Sequence, residues 1–367
     1  MNGGDNKALM KGNEAIAEAA IRAGCAAYFG YPITPQNELI AYMAKRMLDR
    51  GRVFIQAESE IAAINMVYGA SAAGARAMTS SSSPGISLKQ EGVSYAAGAD
   101  IPMVVVNVAR AGPGLGAIAP AQSDYFQSTR GGGHGDYYCI VLAPKSVQEC
   151  ADLTYLAFDL ADEWRVPVIV LADGMIGQMM EGVVLPPERR MEDLPKRDWT
   201  VGHLAEREKK EARHITSLDL EPENLEAKTR ARFERYERIK KKEIRFEAVD
   251  TEDADIILAA YGTSARVALG AKKLAEKTGV KAGLFRPITL WPFPYKQLAK
   301  TAESGKPILT VEMSLGQFVE DVKLSLLERA PGAPRSATHF LGHSGGVIPT
   351  EEEVFERIQT IVKGNAQ

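Results

Sequence analysis

Cysteine is nearly absent from this 367-residue chain, and the three present, Cys25, Cys139 and Cys150, stand far apart without a CxxC pair. That excludes an iron–sulfur cluster ligated by this chain alone in the usual patterns. A scattered odd number suits buried thiols in a reducing compartment better than a disulfide framework. The five histidines (His134, His203, His214, His339 and His343) show no metal-ligand spacing, which argues against a zinc site. No stretch approaches the ~18 consecutive apolar residues that span a membrane. The opening Met1-Asn-Gly-Gly-Asp-Asn-Lys7 has no apolar signal segment. A soluble protein of cytoplasmic type is expected, with no membrane partner. Charge of one sign is lacking too: a formal net charge of −3 gives no reason to expect nucleic acid. The familiar phosphate cradles are also missing. There is no Walker A sequence, and Gly112-Pro-Gly-Leu-Gly116 follows Arg110-Ala111 as a loop without the GxGxxG spacing.

What is there is α/β patterning. The first ~185 residues alternate short helix-like and strand-like segments, the order that yields a parallel sheet covered by helices. Asn13 is placed to cap a helix through Ile16, Ala19, Ala20 and Ala23 that Gly24 stops. A strand at 25–29 then delivers the loop Tyr31-Pro32-Ile33-Thr34-Pro35. Further strands are expected at 53–57, 76–80, 103–109, 140–143 and 166–172. The apolar run Met-Val-Val-Val-Asn-Val-Ala at 103–109 marks a buried one. A capping box, Ser146-x-x-Glu149, opens the helix before the last of these. Between 187 and 249 Lys, Arg and Glu dominate, as at 206–213 and 230–245. That stretch is either a solvated helical excursion or an arm that docks a partner subunit. From 254 an α/β pattern restarts, with strands at 255–260, 280–285 and 308–312. Its last helix is capped by Thr350-x-x-Glu353.

Three residues carry chemistry. Glu60, 26 residues after Thr34, heads the apolar run Glu60-Ile-Ala-Ala-Ile-Asn-Met-Val-Tyr-Gly-Ala70. A carboxylate buried there is costly unless it has a partner. Thr34 offers a hydroxyl on a loop stiffened by Pro32 and Pro35. Arg110, at the end of the 103–109 strand, either grips a carboxylate in two parallel hydrogen bonds or forms a structural ion pair. The run Gly131-Gly-Gly-His134-Gly135-Asp136 reads first as a flexible turn and second as an anion nest. Glu60 with the proline-flanked loop points to a ligand site, and to a nitrogen heterocycle as its occupant.

Four motifs in one order, spread over nearly the whole chain, carry a resemblance. Tyr31-Pro-Ile-Thr-Pro35, Glu60 with Tyr68-Gly-Ala70, Asn107-Val-Ala-Arg110, and Arg286-Pro-Ile-Thr-Leu-Trp-Pro-Phe-Pro294 resemble the α subunit of 2-oxoacid:ferredoxin oxidoreductases. Gln122-Ser-Asp-Tyr125 with 131–136 is most similar to the branched-chain, 2-ketoisovalerate branch; the 2-oxoglutarate branch is close. The resemblance implies a thiamine-diphosphate-binding pyrimidine domain at 1–186 and a charged helical linker at 187–249. It implies a transketolase C-terminal-like α/β domain at 250–367. It assigns Glu60 the hydrogen bond to the cofactor's N1′ and Tyr31, Pro32 and Ile33 to cofactor binding. Thr34 and Arg110 fall where the family holds the substrate. The family's Gly-Asp-Gly metal–diphosphate motif occurs nowhere; the nearest triplet is Ala172-Asp-Gly174. The resemblance therefore places Mg²⁺, the diphosphate and a [4Fe-4S] cluster on a β subunit. Gamma and ferredoxin-like delta subunits, ferredoxin, CoA and a 2-oxoacid complete the implied set. The rival readings are a thiamine enzyme of transketolase or 2-oxoacid dehydrogenase type, and a non-catalytic scaffold.

Overall fold

The computed structural model describes residues 7–195, 197–201, 213–303 and 305–365. Its larger sheet has seven strands in the order Thr289–Trp291, Ile140–Leu142, Pro167–Asp173, Met103–Ala109, Ala77–Ser81, Ala27–Gly30, Val53–Gln56. All neighbours are parallel except the first pair. Every residue of Met103–Ala109 and Pro167–Asp173 is buried. A parallel strand covered by helices on both faces needs such a continuous apolar run. Helices Gly12–Arg22, Asn37–Asp49 and Val147–Trp164 pack together, as do Glu60–Ala72 and Ser83–Gly98. Gly24, at φ +88°, ends the first helix as expected. Its start is a correction: the cap is Lys11, and Asn13 lies inside the helix. The Asn13 amide is used in tertiary contacts instead, donating to the Pro35 carbonyl at 2.8 Å.

A second, five-stranded sheet runs Thr338–Gly342, Ile308–Glu312, Ile256–Ala259, Ala282–Pro287, Phe246–Val249, with only the last strand antiparallel. Helices Gly262–Glu276 and Glu351–Asn365 pack on it around an apolar cluster distinct from the main core. The two sheets are tied by polar groups that neither buries alone. Buried Gln122 donates to the Tyr261 carbonyl at 2.8 Å and accepts from the Ser264 hydroxyl at 2.8 Å and the Met313 amide at 2.9 Å. Asp321 accepts from the phenols of Tyr125 and Tyr295 and from Arg130. Arg286, the first residue of the Arg-Pro-Ile-Thr-Leu-Trp motif, holds Glu149 in two hydrogen bonds of 2.8 Å and Glu247 in one of 2.9 Å. Three residues later the chain leaves the second sheet and adds Thr289–Trp291 to the edge of the first.

That short strand seats the charged linker. Trp291 stacks on Tyr138 with ring centroids 4.8 Å apart, and Tyr236 meets both edge-on. Helix Pro222–Lys242 thereby buries Arg232, Tyr236 and Ile239, while most of its charged residues face solvent. Of the charged run 206–213, residues 206–212 lie outside the described residues. Further upstream, Arg189 and Arg197 pair with Asp159 and Asp162, which also hold buried Arg76. No helix among the described residues is long and apolar enough to cross a membrane.

Candidate active site

Strand order reverses beside Ala27–Gly30, from which the chain runs to Val53–Gln56 on one side and later to Ala77–Ser81 on the other. The crevice outside the carboxyl ends of strands at such a point is where open α/β sheets hold ligands. The 31–35 loop, the start of helix Ser83–Gly98 and Arg110 all arise there, each from the carboxyl end of a strand.

Glu60 begins helix Glu60–Ala72 and is 7% exposed. The Ser59 hydroxyl caps this helix by accepting from the Ala62 amide at 3.2 Å, which leaves Glu60 at the positive end of the helix dipole. Gly85 faces it. A Cβ on Gly85 would stand 2.7 Å from Glu60 Oε1 and 2.0 Å from Ser81 Oγ, so glycine is what lets the carboxylate sit there. The hydroxyls of Ser81 and Ser82 are buried without a partner among the described residues. Buried polar groups are nearly always hydrogen-bonded. Orphan hydroxyls on the strand end beside a buried carboxylate therefore suit a polar ligand.

The 31–35 loop is held from several directions. Pro35 O accepts from Asn13 and, at 3.0 Å, from Gln178. Tyr28 Oη and Ser80 Oγ share a 2.6 Å hydrogen bond, and Ser80 donates at 2.6 Å to Gln36 Oε1. Tyr31 and Pro32 are exposed, Ile33 and Thr34 half-buried. Thr34 Oγ1 accepts from Asn37 at 3.2 Å. Arg110 and Thr34 are brought together, though not through their side chains: Arg110 Nη1 donates to the Thr34 carbonyl at 2.9 Å and Nη2 to the Leu115 carbonyl at 3.1 Å. No carboxylate of this chain pairs with Arg110 among the described residues, so the structural ion pair is set aside. Its buried Nε has no partner among the described residues.

Arg110 opens onto a cavity of about 450 Å³ between the two sheets, lined also by Ser83, Asp124, Ser314, Gln317 and Ser344. Asp124 escaped sequence reasoning as a site residue, although it lies in the Gln122-Ser-Asp-Tyr125 motif. It accepts from Ser83 Oγ at 2.6 Å and Asn107 Nδ2 at 2.7 Å. Burial raises its carboxyl above the ordinary carboxylate range, against the pull of those two donors. Lys89 was also missed. It is fully buried on helix Ser83–Gly98, and its Nζ makes a 3.5 Å hydrogen bond to the Glu60 main-chain carbonyl. Desolvation pulls its amine down to about 8, against the field of Glu60.

Other candidates prove structural. Gly132 and Gly133 press against helix Ser83–Gly98, where Cβ atoms would lie 2.4 Å from Gln90 Oε1 and 2.6 Å from the Gln90 carbonyl. Gly132 and Gly133 thus serve the packing of the turn on this helix, while Gly135 faces open space. Asp173 accepts from the Met175 and Ile176 amides and the Thr263 hydroxyl, which occupies the nearest relative of Gly-Asp-Gly. The cysteines are separately buried, and burial pushes the Cys25 and Cys139 thiols up to about 12.

Residues 18–254 match the family "Pyruvate flavodoxin/ferredoxin oxidoreductase, thiamine diP-bdg", and residues 254–354 match "Pyruvate:ferredoxin oxidoreductase core domain II". The ketoisovalerate oxidoreductase subunit VorB of Methanothermobacter thermautotrophicus is 50% identical over 353 residues, spanning 96% of this chain and 97% of that one. The chain belongs to the 2-oxoacid:ferredoxin oxidoreductase family. The 2-oxoglutarate synthase subunit KorA of Archaeoglobus fulgidus is 41% identical, over 86% of this chain and 90% of its own. Among solved structures, a 2-oxoglutarate:ferredoxin oxidoreductase from Magnetococcus marinus, with 2-oxoglutarate, coenzyme A and succinyl-CoA bound, superposes with a TM-score of 0.84 at 28% identity. The match covers 98% of this chain and 66% of that longer one. A split-gene transketolase, at 14% identity and TM-score 0.59, shares the fold.

The residues present fit one half of thiamine diphosphate. Glu60, the orphan hydroxyl of Ser81 and the Gly85 cradle suit an aminopyrimidine, which offers both donors and acceptors. No group of three or more His, Cys, Asp or Glu among the described residues is placed to hold a metal ion.

Proposed function

We propose that this chain is the α-type subunit of a cytoplasmic 2-oxoacid:ferredoxin oxidoreductase that converts a 2-oxoacid, CoA and oxidised ferredoxin to acyl-CoA, CO₂ and reduced ferredoxin. The observation that carries this reading is Glu60 at the head of its helix, buried, with a glycine where any side chain would displace it. When bound, thiamine diphosphate supplies the nucleophilic carbon and the electron sink. Glu60 exchanges a proton with the pyrimidine N1′, a task for which a buried carboxylate at a helix N-terminus is suited. Tyr31, Pro32 and Ile33 wall the ring, Thr34 takes the substrate's keto oxygen, and the unused donors of Arg110 take its carboxylate. The partly exposed apolar side chains Val53, Ile55, Ile61, Leu88 and Tyr95 line the elements around Glu60. Apolar side chains left exposed on neighbouring elements suit a surface that a partner covers. A β subunit docking there brings the diphosphate, Mg²⁺ and a [4Fe-4S] cluster, with gamma and ferredoxin-like delta subunits completing the path to ferredoxin. The half-identical VorB relative favours a branched-chain 2-oxoacid.

The test is to purify the tagged chain from its host and assay the complex anaerobically for CoA-dependent viologen reduction across a panel of 2-oxoacids. A brown complex with highest kcat/KM on 2-ketoisovalerate is expected. A colourless lone chain that binds no thiamine diphosphate would overturn the proposal.

A further inference from the structure

Arg110 stands where its strand has lost a neighbour. The pairing of Ala77–Ser81 with Met103–Ala109 ends at Ser81 opposite Asn107, so nothing on that side reaches the Arg110 main chain. Ser83 takes over: its hydroxyl accepts from the Arg110 amide at 2.9 Å. That hydroxyl is itself held, because it donates to Asp124 Oδ2 at 2.6 Å. The same oxygen accepts from Asn107 Nδ2 at 2.7 Å, and Asn107 Oδ1 accepts from the Ser83 amide at 3.3 Å. Asp124 thus closes a brace of side chains around the end of the strand. No cation among the described residues pairs with it, so these two donors account for its place. The second sheet grips the segment that carries it. Gln317 donates to the Ser123 carbonyl at 2.7 Å and accepts from the Phe126 amide at 2.9 Å, one bond on each side of Asp124. Gln317 is fixed in turn through Ser314, which accepts from its amide at 3.2 Å and donates to buried Glu312 at 2.6 Å.

We propose that Asp124 is a positioning residue for substrate binding: through the Ser83 hydroxyl and the Asn107 amide it fixes the main chain of Arg110, and the second sheet holds it there through Gln317. A guanidinium hangs on a long side chain, so its place depends on where its main chain is set. The Arg110 head group is otherwise held only by the carbonyls of Thr34 and Leu115, both in loops. The brace therefore supplies the rigid end of the grip on a carboxylate. This inference rests on the assignment of Arg110 to the substrate.

The experiment measures kcat and KM for 2-ketoisovalerate in the purified assembly, for wild type, Asp124→Ala, Asp124→Asn, Arg110→Ala and the double variant. Thiamine diphosphate affinity is titrated alongside. Asp124→Ala should raise KM about tenfold, the low end for a lost charge-assisted hydrogen bond, with a smaller fall in kcat. Thiamine diphosphate affinity should hold, because Asp124 makes no hydrogen bond to Glu60 or the 31–35 loop among the described residues. Asp124→Asn, whose amide oxygen keeps an acceptor for both donors, should recover most of the loss. On an Arg110→Ala background Asp124→Ala should change KM by less than about twofold, whereas a carboxylate that met the substrate itself would multiply its loss. The proposal would be overturned by a wild-type KM in Asp124→Ala, by an Asn variant no better than Ala, by losses that multiply, or by cofactor affinity that falls as far as KM rises. An unchanged KM in Arg110→Ala alone would instead defeat the Arg110 assignment, and this inference with it. Should Asp124→Ala not assemble, Ser83→Ala removes the bridging hydroxyl and carries the same KM and double-variant comparisons with the same outcomes.

Discussion

Replacing Gly85 with alanine tests the cradle at its tightest point. The new Cβ would lie 2.7 Å from Glu60 Oε1, 3.1 Å from Glu60 Cγ and 2.0 Å from Ser81 Oγ. Comfortable non-bonded contacts lie near 3.5–4.0 Å, so the carboxylate must withdraw by roughly 0.5–1 Å and the Ser81 hydroxyl must change rotamer. The effect on stability is small. Alanine gains up to about 1 kcal/mol over glycine in a helix, and overpacking costs about 1–3 kcal/mol, so a net loss of about 1–2 kcal/mol leaves the protein folded. The effect on function is large, because a misplacement of about 1 Å at a reacting centre can cost ~100-fold in rate. Gly85→Ala should therefore melt within a few degrees of wild type and still assemble, yet lose roughly 100-fold in 2-oxoacid-dependent turnover and bind thiamine diphosphate more weakly. Turnover and cofactor affinity at wild-type levels in a well-folded Gly85→Ala protein would refute the placement of the pyrimidine against Glu60.

Other perturbations follow from the same contacts. The Lys89 amine titrates at about 8 in the fold against an ordinary 10.5, so between those values the unfolded chain keeps a proton that the folded chain releases. The penalty is full below pH ~8 and is relieved as pH climbs toward 10.5, amounting to about 3 kcal/mol. Lys89→Met should accordingly raise the melting temperature near neutral pH and gain less under alkaline conditions; a variant that melts lower at neutral pH would contradict the buried-cation account. Gln122→Ala strips the buried bridge between the sheets and should cost about 2–3 kcal/mol in denaturant unfolding, whereas an unchanged midpoint would remove Gln122 from the interface. Arg110→Ala should raise the KM for the 2-oxoacid about 10–100-fold, the range for a lost charge-assisted hydrogen bond. It should lower kcat as well, since the Thr34 and Leu115 carbonyls lose a common donor; an unchanged KM would exclude Arg110 from the substrate site.

Much of this architecture was legible in the chain, for physical reasons that differ by element. Met103–Ala109 is visible because a strand buried on both faces tolerates only an apolar run, and its ends were placed to the residue. Glu60 is visible because a carboxylate opening an apolar helix contradicts its surroundings. Asn13 misled because a cap and a tertiary contact use the same amide, and composition cannot say which carbonyl it will meet. Thr289–Trp291 joins the first sheet through three residues, too few for any alternation to register. Lys89 and Gly85 lie on a helix whose period is unremarkable. Their meaning comes from Glu60 lying opposite, which only the packing of the two helices reveals. The Gly-rich turn at 131–136 reads from sequence as flexible, and Gly132 and Gly133 within it permit a close approach to Gln90 and Ser94.

The central claim is that this chain activates thiamine diphosphate through Glu60 in a 2-oxoacid:ferredoxin oxidoreductase. The most direct measurement is anaerobic viologen reduction, driven by 2-ketoisovalerate and CoA, by the intact assembly carrying wild-type chain or Glu60→Gln. Size-exclusion chromatography would show that both assemble equally. The account predicts turnover in the wild type and a loss of at least ~100-fold in Glu60→Gln with assembly intact. Equal turnover in the two would contradict it.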